Sequence, residues 1–292
     1  MFLQLIINAL VASSWYVLIG IGASLILRTC RFFDISLGAL FTVCPYFAFL
    51  LKEWFGFPLV LSIVLAIPST MLLEVIIYTS MYSFLFRAKA SPLIILLVSL
   101  GLYIILQNLV SLIFGDDTKI IRPIEVQEGL SIFSAKISSI QGVSILIAIF
   151  LITLTIVLIR KSKIGKALRA VAIDPELAAV SGIEVDLVRL WSMVIACGLA
   201  GAAGILMALD IDMTPTMGLD ALVMGLVAAI IGGPEKVIGV TLGALFLAIV
   251  QHIGLWELGP KWHEAGAFVI LLLFLLFRPE GLIGRKVKKA TV

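Results

Sequence analysis

"PLIILLVSLGLYIILQNLVSLIF", Pro92 to Phe114, runs for 23 residues without a single Lys, Arg, Asp or Glu. A helix needs about 20 predominantly apolar residues to cross the hydrocarbon core of a bilayer. This stretch therefore reads as a membrane span. Working outward with the same ruler gives nine such segments, at about 4–27, 35–51, 57–86, 92–114, 141–159, 190–209, 218–232, 237–256 and 264–277. The second, seventh and ninth are short, which suits tilted, broken or re-entrant helices. The fold class expected is an all-α polytopic helical bundle forming one transmembrane domain over residues 1–292.

Composition agrees. Hydrophobic residues make up 62% of the chain and charged ones 13%, with a mean hydropathy of +1.20. Soluble domains run at about 25% charged and about 45–50% apolar. The apolar runs are dispersed from end to end, which excludes a soluble domain with one anchor. The first of them is long and lacks both a basic leader region and a small-residue cleavage site, so it reads as a span and not as a cleaved signal. The net charge of +3 suggests no nucleic-acid partner. Cys30, Cys44 and Cys197 have neither disulfide-framework nor metal-ligand spacing, and the last two read as small packing residues.

Cytoplasmic loops collect Lys and Arg. With the N-terminus outside, 16 of the 21 basic residues fall on the inner side, among them Arg28, Arg31, Arg87, Lys89, Lys163, Lys166, Lys236 and the run Arg285 to Lys289. The outer side keeps Lys52, Lys119, Arg122, Lys136 and Lys261. The expected topology is N-out and C-in, with an outer loop at about 115–140, where alternating residues could form a hairpin or a surface helix, and an inner loop at about 160–189.

The inner loop, "KIGKALRAVAIDPELAAVSGIEV" (Lys163 to Val185), carries the most local structure. Ile164, Leu168 and Val171 recur at i, i+4 and i+7, one apolar stripe of a helix. Asp174 is a preferred N-cap and Pro175 suits the first helical position. Glu176 adds negative charge at the positive end of the new helix, and Gly182 supplies a left-handed stop. The second helix has only about two turns, with Ala178, Ala179 and Ser181 on much of its surface. A helix so short is unstable alone in water, so it lies on the inner leaflet or docks on a partner.

"LRAVAIDPELAAVSGI" resembles the inner loop of permease subunits of branched-chain amino acid ABC importers, the LivH type. "DISLGALFTVCPY" (Asp34 to Tyr46), "RAKASPLIILLVSLGLYIILQNLVSLIFG" (Arg87 to Gly115), "LVAAIIGGPEKVIGVTLGALFLAIVQ" (Leu226 to Gln251) and "RPEGLIGR" (Arg278 to Arg285) are similar to further segments of that family, in the same order. The resemblance implies that Gly165, Leu168, Arg169, Asp174, Pro175 and Gly182 form the surface that meets the ATPase. It implies a second, homologous permease subunit, cytoplasmic ATPase subunits and an extracytoplasmic solute-binding protein as partners, in the cell (inner) membrane of a bacterium or archaeon. The chain departs from the family at "YSFLFR" (Tyr82 to Arg87), where relatives carry a more basic run, and at Tyr78, where an acid is expected.

The remaining candidates are intramembrane. Glu74 lies mid-span, where an ionisable group is costly unless paired, protonated or facing water. It is either a polar contact in a solute path or hydrogen-bonded to a neighbour through Ser69, Thr70 or Tyr78. Gly198, Gly201 and Gly204, with Gly239 and Gly243, make small faces that suit internal packing, a second subunit or a gating hinge. Asp210, Asp212 and Asp220 lack Ca²⁺-loop spacing and read as an outer solvated loop, and His252 and His263 are too far apart for a zinc pair. No metal, cofactor or catalytic residue is expected. The chain has no GxxxxGK[ST] phosphate loop, so ATP would be hydrolysed by a separate subunit. An ion-coupled transporter would show several intramembrane acids, and only Glu74 qualifies; a membrane enzyme would need a nucleophile–base or metal constellation, which is not found. The expected function is a permease subunit for branched-chain amino acids, with urea, amides or another small polar solute as alternative cargo.

Overall fold

The structure, a computed structural model, describes residues 2–121, 130–132, 135–254, 262–278 and 281–282. Arg122, Lys261 and the basic run Arg285 to Lys289 lie outside the described residues, as does the side chain of His263.

Among the described residues, six helices are long and apolar enough to span a bilayer: α1 (Phe2–Cys30), α2 (Ser36–Glu53), α3 (Leu59–Arg87), α4 (Pro92–Phe114), α5 (Ser139–Lys161) and α8 (Val185–Asp210). Between α5 and α8 come two short helices, α6 (Lys163–Ile173) and α7 (Pro175–Val180). After α8 come α9 (Met217–Gly232), α10 (Val237–Ile249, prolonged by a π turn at Val250–Gly254) and α11 (Trp262–Phe277). All nine expected segments are helical, but the count of full-length spans differs. The seventh and eighth form one pair bent by 115°, because Gly233 (φ 91°) turns the chain and the two arms touch backbone to backbone. A β-carbon on Gly239 would lie 2.5 Å from the Gly232 carbonyl oxygen. The ninth is a shorter apolar helix, Ala265–Phe277.

The helix ends follow local chemistry. Ser91 caps α4 by accepting from the Ile94 N–H (3.4 Å), with Pro92 in the first turn. Ser138 and Gln141 form a capping box at α5, satisfying two otherwise orphaned donors. Within α3 the residues Tyr78–Tyr82 form a π turn, an insertion of the kind found often at functional sites. Among the described residues, the loop at about 115–140 contains a hairpin: β1 (Leu130–Ile132) pairs antiparallel with β2 (Ala135–Ile137), Leu130 opposite Ile137.

Burial sorts the helices into two shells. The most apolar stretches of α1 and α8 are 83% and 78% buried, whereas those of α3, α4 and α5 are 22–28% buried. In lipid an apolar side chain gains little by hiding from its surroundings, so close packing decides which helices go inside. The inner helices bring small residues together. Gly22 of α1 meets Ala196 of α8, and Gly20 meets Gly225 of α9, where β-carbons would sit 3.0 and 2.8 Å from backbone oxygens. The outer three present Leu, Ile, Val and Phe to the lipid.

Candidate functional site

Two places combine chemistry with unusual construction: the loop that joins α5 to α8, and a polar cluster buried beneath it.

The loop begins at Ser162, whose hydroxyl accepts from the Gly165 N–H at 2.8 Å. Gly165 is buried, and a β-carbon there would run into the carbonyls of Leu158 and Ile159, so α6 turns back tightly on the end of α5. The buried face of α6 is therefore Gly165, Leu168 and Val171. Ile164, expected in that stripe, is half exposed instead. Leu168 and Val171 pack with Ala178 of α7 and Val188 of α8 into a small core of their own.

Asp174 caps α7, its Oδ1 accepting from the N–H groups of Glu176 (2.9 Å) and Leu177 (3.1 Å). Pro175 occupies the first turn. Gly182 (φ 83°) ends it, with Ile183 N–H bonded to the Ala178 carbonyl and Gly182 N–H to that of Ala179, both at 3.0 Å. That is the double bond pattern of a Schellman stop.

The outward face of this capped unit keeps the small residues Ala179 and Ser181 exposed but also carries large aliphatic ones. Ala178 is buried, while Ile173, Leu177 and Val180 stand 79%, 64% and 86% exposed. They make an aliphatic knob ringed by the exposed charges Lys166, Arg169 and Glu176. The knob is tied inward twice. The Arg31 guanidinium, in the α1–α2 link, donates to the Ile173 carbonyl at 3.3 Å. At the start of α8, Asp186 takes the Tyr78 hydroxyl on its carbonyl at 2.9 Å and lies 3.6 Å from Arg87 and 3.5 Å from Arg189.

The buried cluster lies where α2, α3 and α8 meet. Asp34 Oδ1 accepts from the Ser36 N–H (3.0 Å), the Ser36 hydroxyl (2.6 Å) and the Tyr82 hydroxyl (3.0 Å). Glu74, two turns before Tyr82 on α3, is 1% exposed. Neither Glu74 oxygen, nor Asp34 Oδ2, has a hydrogen-bond partner. The three neighbours expected for Glu74 are engaged elsewhere: Ser69 donates to the Leu65 carbonyl, Thr70 to that of Ala66 and Tyr78 to that of Asp186. None of the three bonds Glu74 in this structure. Asp34 is not legible as part of a buried polar cluster from the sequence alone, because its partner Tyr82 lies 48 residues away. The available signal was an aspartate directly preceding a span.

The small faces pack inward. A β-carbon on Gly201 would lie 2.9 Å from the Cys44 sulfur and one on Gly198 3.2 Å from the Met71 sulfur, and one on Gly204 would overlap the Phe41 carbonyl. Gly239 and Gly243 press on α9, not on an outer surface. At the end of the bundle away from the knob, Lys119 and Met213 pair as a short bridge and the Gln141 amide donates to Asp210 at 3.0 Å. Asp210 thus joins α8 to α5 and is not simply part of a solvated loop.

A family model described as "Branched-chain amino acid transport system / permease component" matches residues 5–277. The chain belongs to this family. It is 28% identical over 295 residues to the high-affinity branched-chain amino acid transport system permease protein BraD of Pseudomonas aeruginosa, covering 97% of this chain and 96% of that one. It is 27% identical over 303 residues to the permease protein LivH of Escherichia coli K12, with the same coverage. Among solved structures, PsaBC from Streptococcus pneumoniae in complex with Fab matches with a TM-score of 0.50 at 14% identity, over 92% of this chain and 90% of that one; that likeness concerns the fold. The protein is thus a multi-pass membrane permease component, a transport subunit and not an enzyme.

Proposed function

We propose that this chain is the membrane-spanning permease of an ATP-driven, binding-protein-dependent importer of branched-chain amino acids. The observation that carries the reading is similarity to permeases of that named cargo over nearly the entire chain. The knob supports it: three exposed aliphatic side chains, Ile173 at the end of α6 and Leu177 and Val180 on the capped two-turn α7, need a protein partner, and the ATPase is the partner this reading supplies. Arg169, Asp174, Pro175 and Gly182 then lie in the coupling surface, while Gly165 and Leu168, buried behind it, hold it against α5 and α8. Two ATPases sit below, a binding protein above, and a second related permease alongside, in the cell membrane. ATP binding would move the knob, and the solute path would switch sides.

The orientation proposed is N-out and C-in for the single domain. It holds whether α9 and α10 cross as two spans or dip in as one re-entrant pair, because either alternative restores the same side. The Gly233 turn then faces the cytoplasm, next to Ser24 of α1, whose hydroxyl bonds the Pro234 carbonyl.

The test is ATP-dependent uptake of labelled leucine, isoleucine and valine into proteoliposomes holding the complex, with urea and amides alongside and Asp174→Lys with Gly182→Val as control. Uptake that requires ATP and binding protein and is lost in the control is the expected result. Uptake driven by an ion gradient without ATP would overturn the reading, and ATP-driven uptake of another solute would correct the cargo alone.

A further inference from the structure

We propose that residues 115–121 are the outer gate of the permease, a strap that must part from Met213 before solute can pass between the helices. The inference rests on the importer reading and the orientation given above, and it supplies that importer with a moving part at its entrance.

The strap starts where α4 ends. Gly115 closes α4 with its N–H on the Ser111 carbonyl at 2.8 Å and a φ of 80°, a conformation that glycine reaches without strain. A β-carbon there would meet open space, so this joint is free to swing. The chain then crosses the end of the bundle. Lys119 and Met213, which lies in the link between α8 and α9, exchange both backbone hydrogen bonds, each at 3.0 Å. Two residues on, the Ile121 carbonyl accepts from the Lys52 ammonium at the end of α2, 3.2 Å away. One short segment thus ties together the ends of α2, α4 and α8.

What the strap crosses, it seals. Ile121 and Met213 are both 0% exposed and belong to the same apolar core as the inward faces of α1, α2, α8 and α9. Two side chains from connecting segments therefore stop the mouth between the helices that would have to admit solute. The water-facing part of the strap is polar, with Asp116, Asp117 and Thr118 exposed. Lifting it would bare little apolar surface beyond Ile121 and Met213.

The fastenings are of a reversible kind. They are one isolated backbone pair, not a ladder, and one lysine side chain that is shared with Glu53 at 3.1 Å. Segments that open during a working cycle are drawn from such weakly held elements. By contrast α2 and α8 meet backbone to backbone, where a β-carbon on Gly204 would overlap the Phe41 carbonyl.

The test is a disulfide across the bridge. Residues that exchange both backbone bonds stand about 5.5 Å apart at Cα, a span that suits a disulfide. Lys119→Cys with Met213→Cys, in a background lacking Cys30, Cys44 and Cys197, is reconstituted with ATPase and binding protein and assayed for ATP-driven uptake of leucine. Oxidation is expected to lower uptake at least about tenfold and dithiothreitol to restore it, with each single cysteine as reference. Undiminished uptake, with the bond shown to be formed by mass spectrometry, would overturn the proposal. A second measurement needs no substitution. In the wild-type complex with binding protein, amide exchange at Lys119 and Met213 should differ between the nucleotide-free, ATP-analogue-bound and vanadate-trapped states. Equal protection in every state would also overturn the gate. Uptake by the reduced complex without ATP counts against the importer reading; ATP-driven uptake that survives the disulfide counts against the gate only.

Discussion

Leu177 and Val180 are the sharpest test of the knob, because removing them alters little inside the permease. Leu177→Ala deletes three carbons and Val180→Ala two, at about 0.8 kcal/mol per carbon withdrawn from water. Leu177 is 64% exposed and Val180 86% exposed, so most of each loss appears only when a partner covers the residue. Scaled by exposure, each substitution should weaken docking by about 1.5 kcal/mol, which is roughly tenfold in affinity, and the pair by roughly a hundredfold if the contributions add. The assay is binding of the purified ATPase to nanodisc-held permease by biolayer interferometry, with the permease's thermal midpoint as a folding check. Ile173→Ala should behave similarly. An affinity within twofold of wild type for the double variant would refute the assignment of this face to the ATPase.

Other consequences follow from the same geometry. Asp174→Ala removes two hydrogen bonds to the first turn of α7 and should cost about 1 kcal/mol of local stability, read as faster amide exchange at residues 176–180 with the rest unchanged. Gly165→Ala forces α6 off the end of α5; uptake should fall while ATPase binding persists, and unchanged uptake would show that the turn tolerates bulk. Gly204→Ala meets the Phe41 carbonyl and should destabilise the bundle by about 1–3 kcal/mol, as overpacking does, seen as a lower thermal midpoint. Single cysteines at Ser181 and at Trp54, in a background lacking Cys30, Cys44 and Cys197, should react with impermeant maleimide from the inner and the outer face respectively. The reverse pattern would invert the topology.

Much of this was legible along the chain because it is local. Asp174, Pro175 and Gly182 act on neighbours within four residues, so their capping and stopping roles could be read directly from the sequence. Runs such as Pro92–Phe114 declare themselves by composition. Ile164 was misassigned because helical periodicity admits either it or Gly165 on the inner face, and only the steep α5–α6 turn selects the glycine. The small surface expected of α7 holds only in part, with Ala179 and Ser181 exposed and Ala178 buried, because which face is buried depends on Val188 of the next helix. The α9–α10 bend depends on a glycine contact across the turn, and the Asp34–Tyr82 hydrogen bond on how the α1–α2 link packs against α3. Neither leaves a mark in a hydropathy trace.

The innermost helix, α1, leaves the ribosome well before α8, which covers it. Its packing mates on α8 begin with Val185, 155 residues after Cys30. At about 5–20 residues per second, α1 is in the bilayer for about ten to thirty seconds before the surface that will cover it exists. Its freedom from charge across Phe2–Leu27 therefore serves assembly as much as the finished protein: α1 must be stable as a solitary helix in lipid before it becomes the axis of the bundle. A charge placed on its α8-facing side would act on insertion, long before any partner helix could neutralise it.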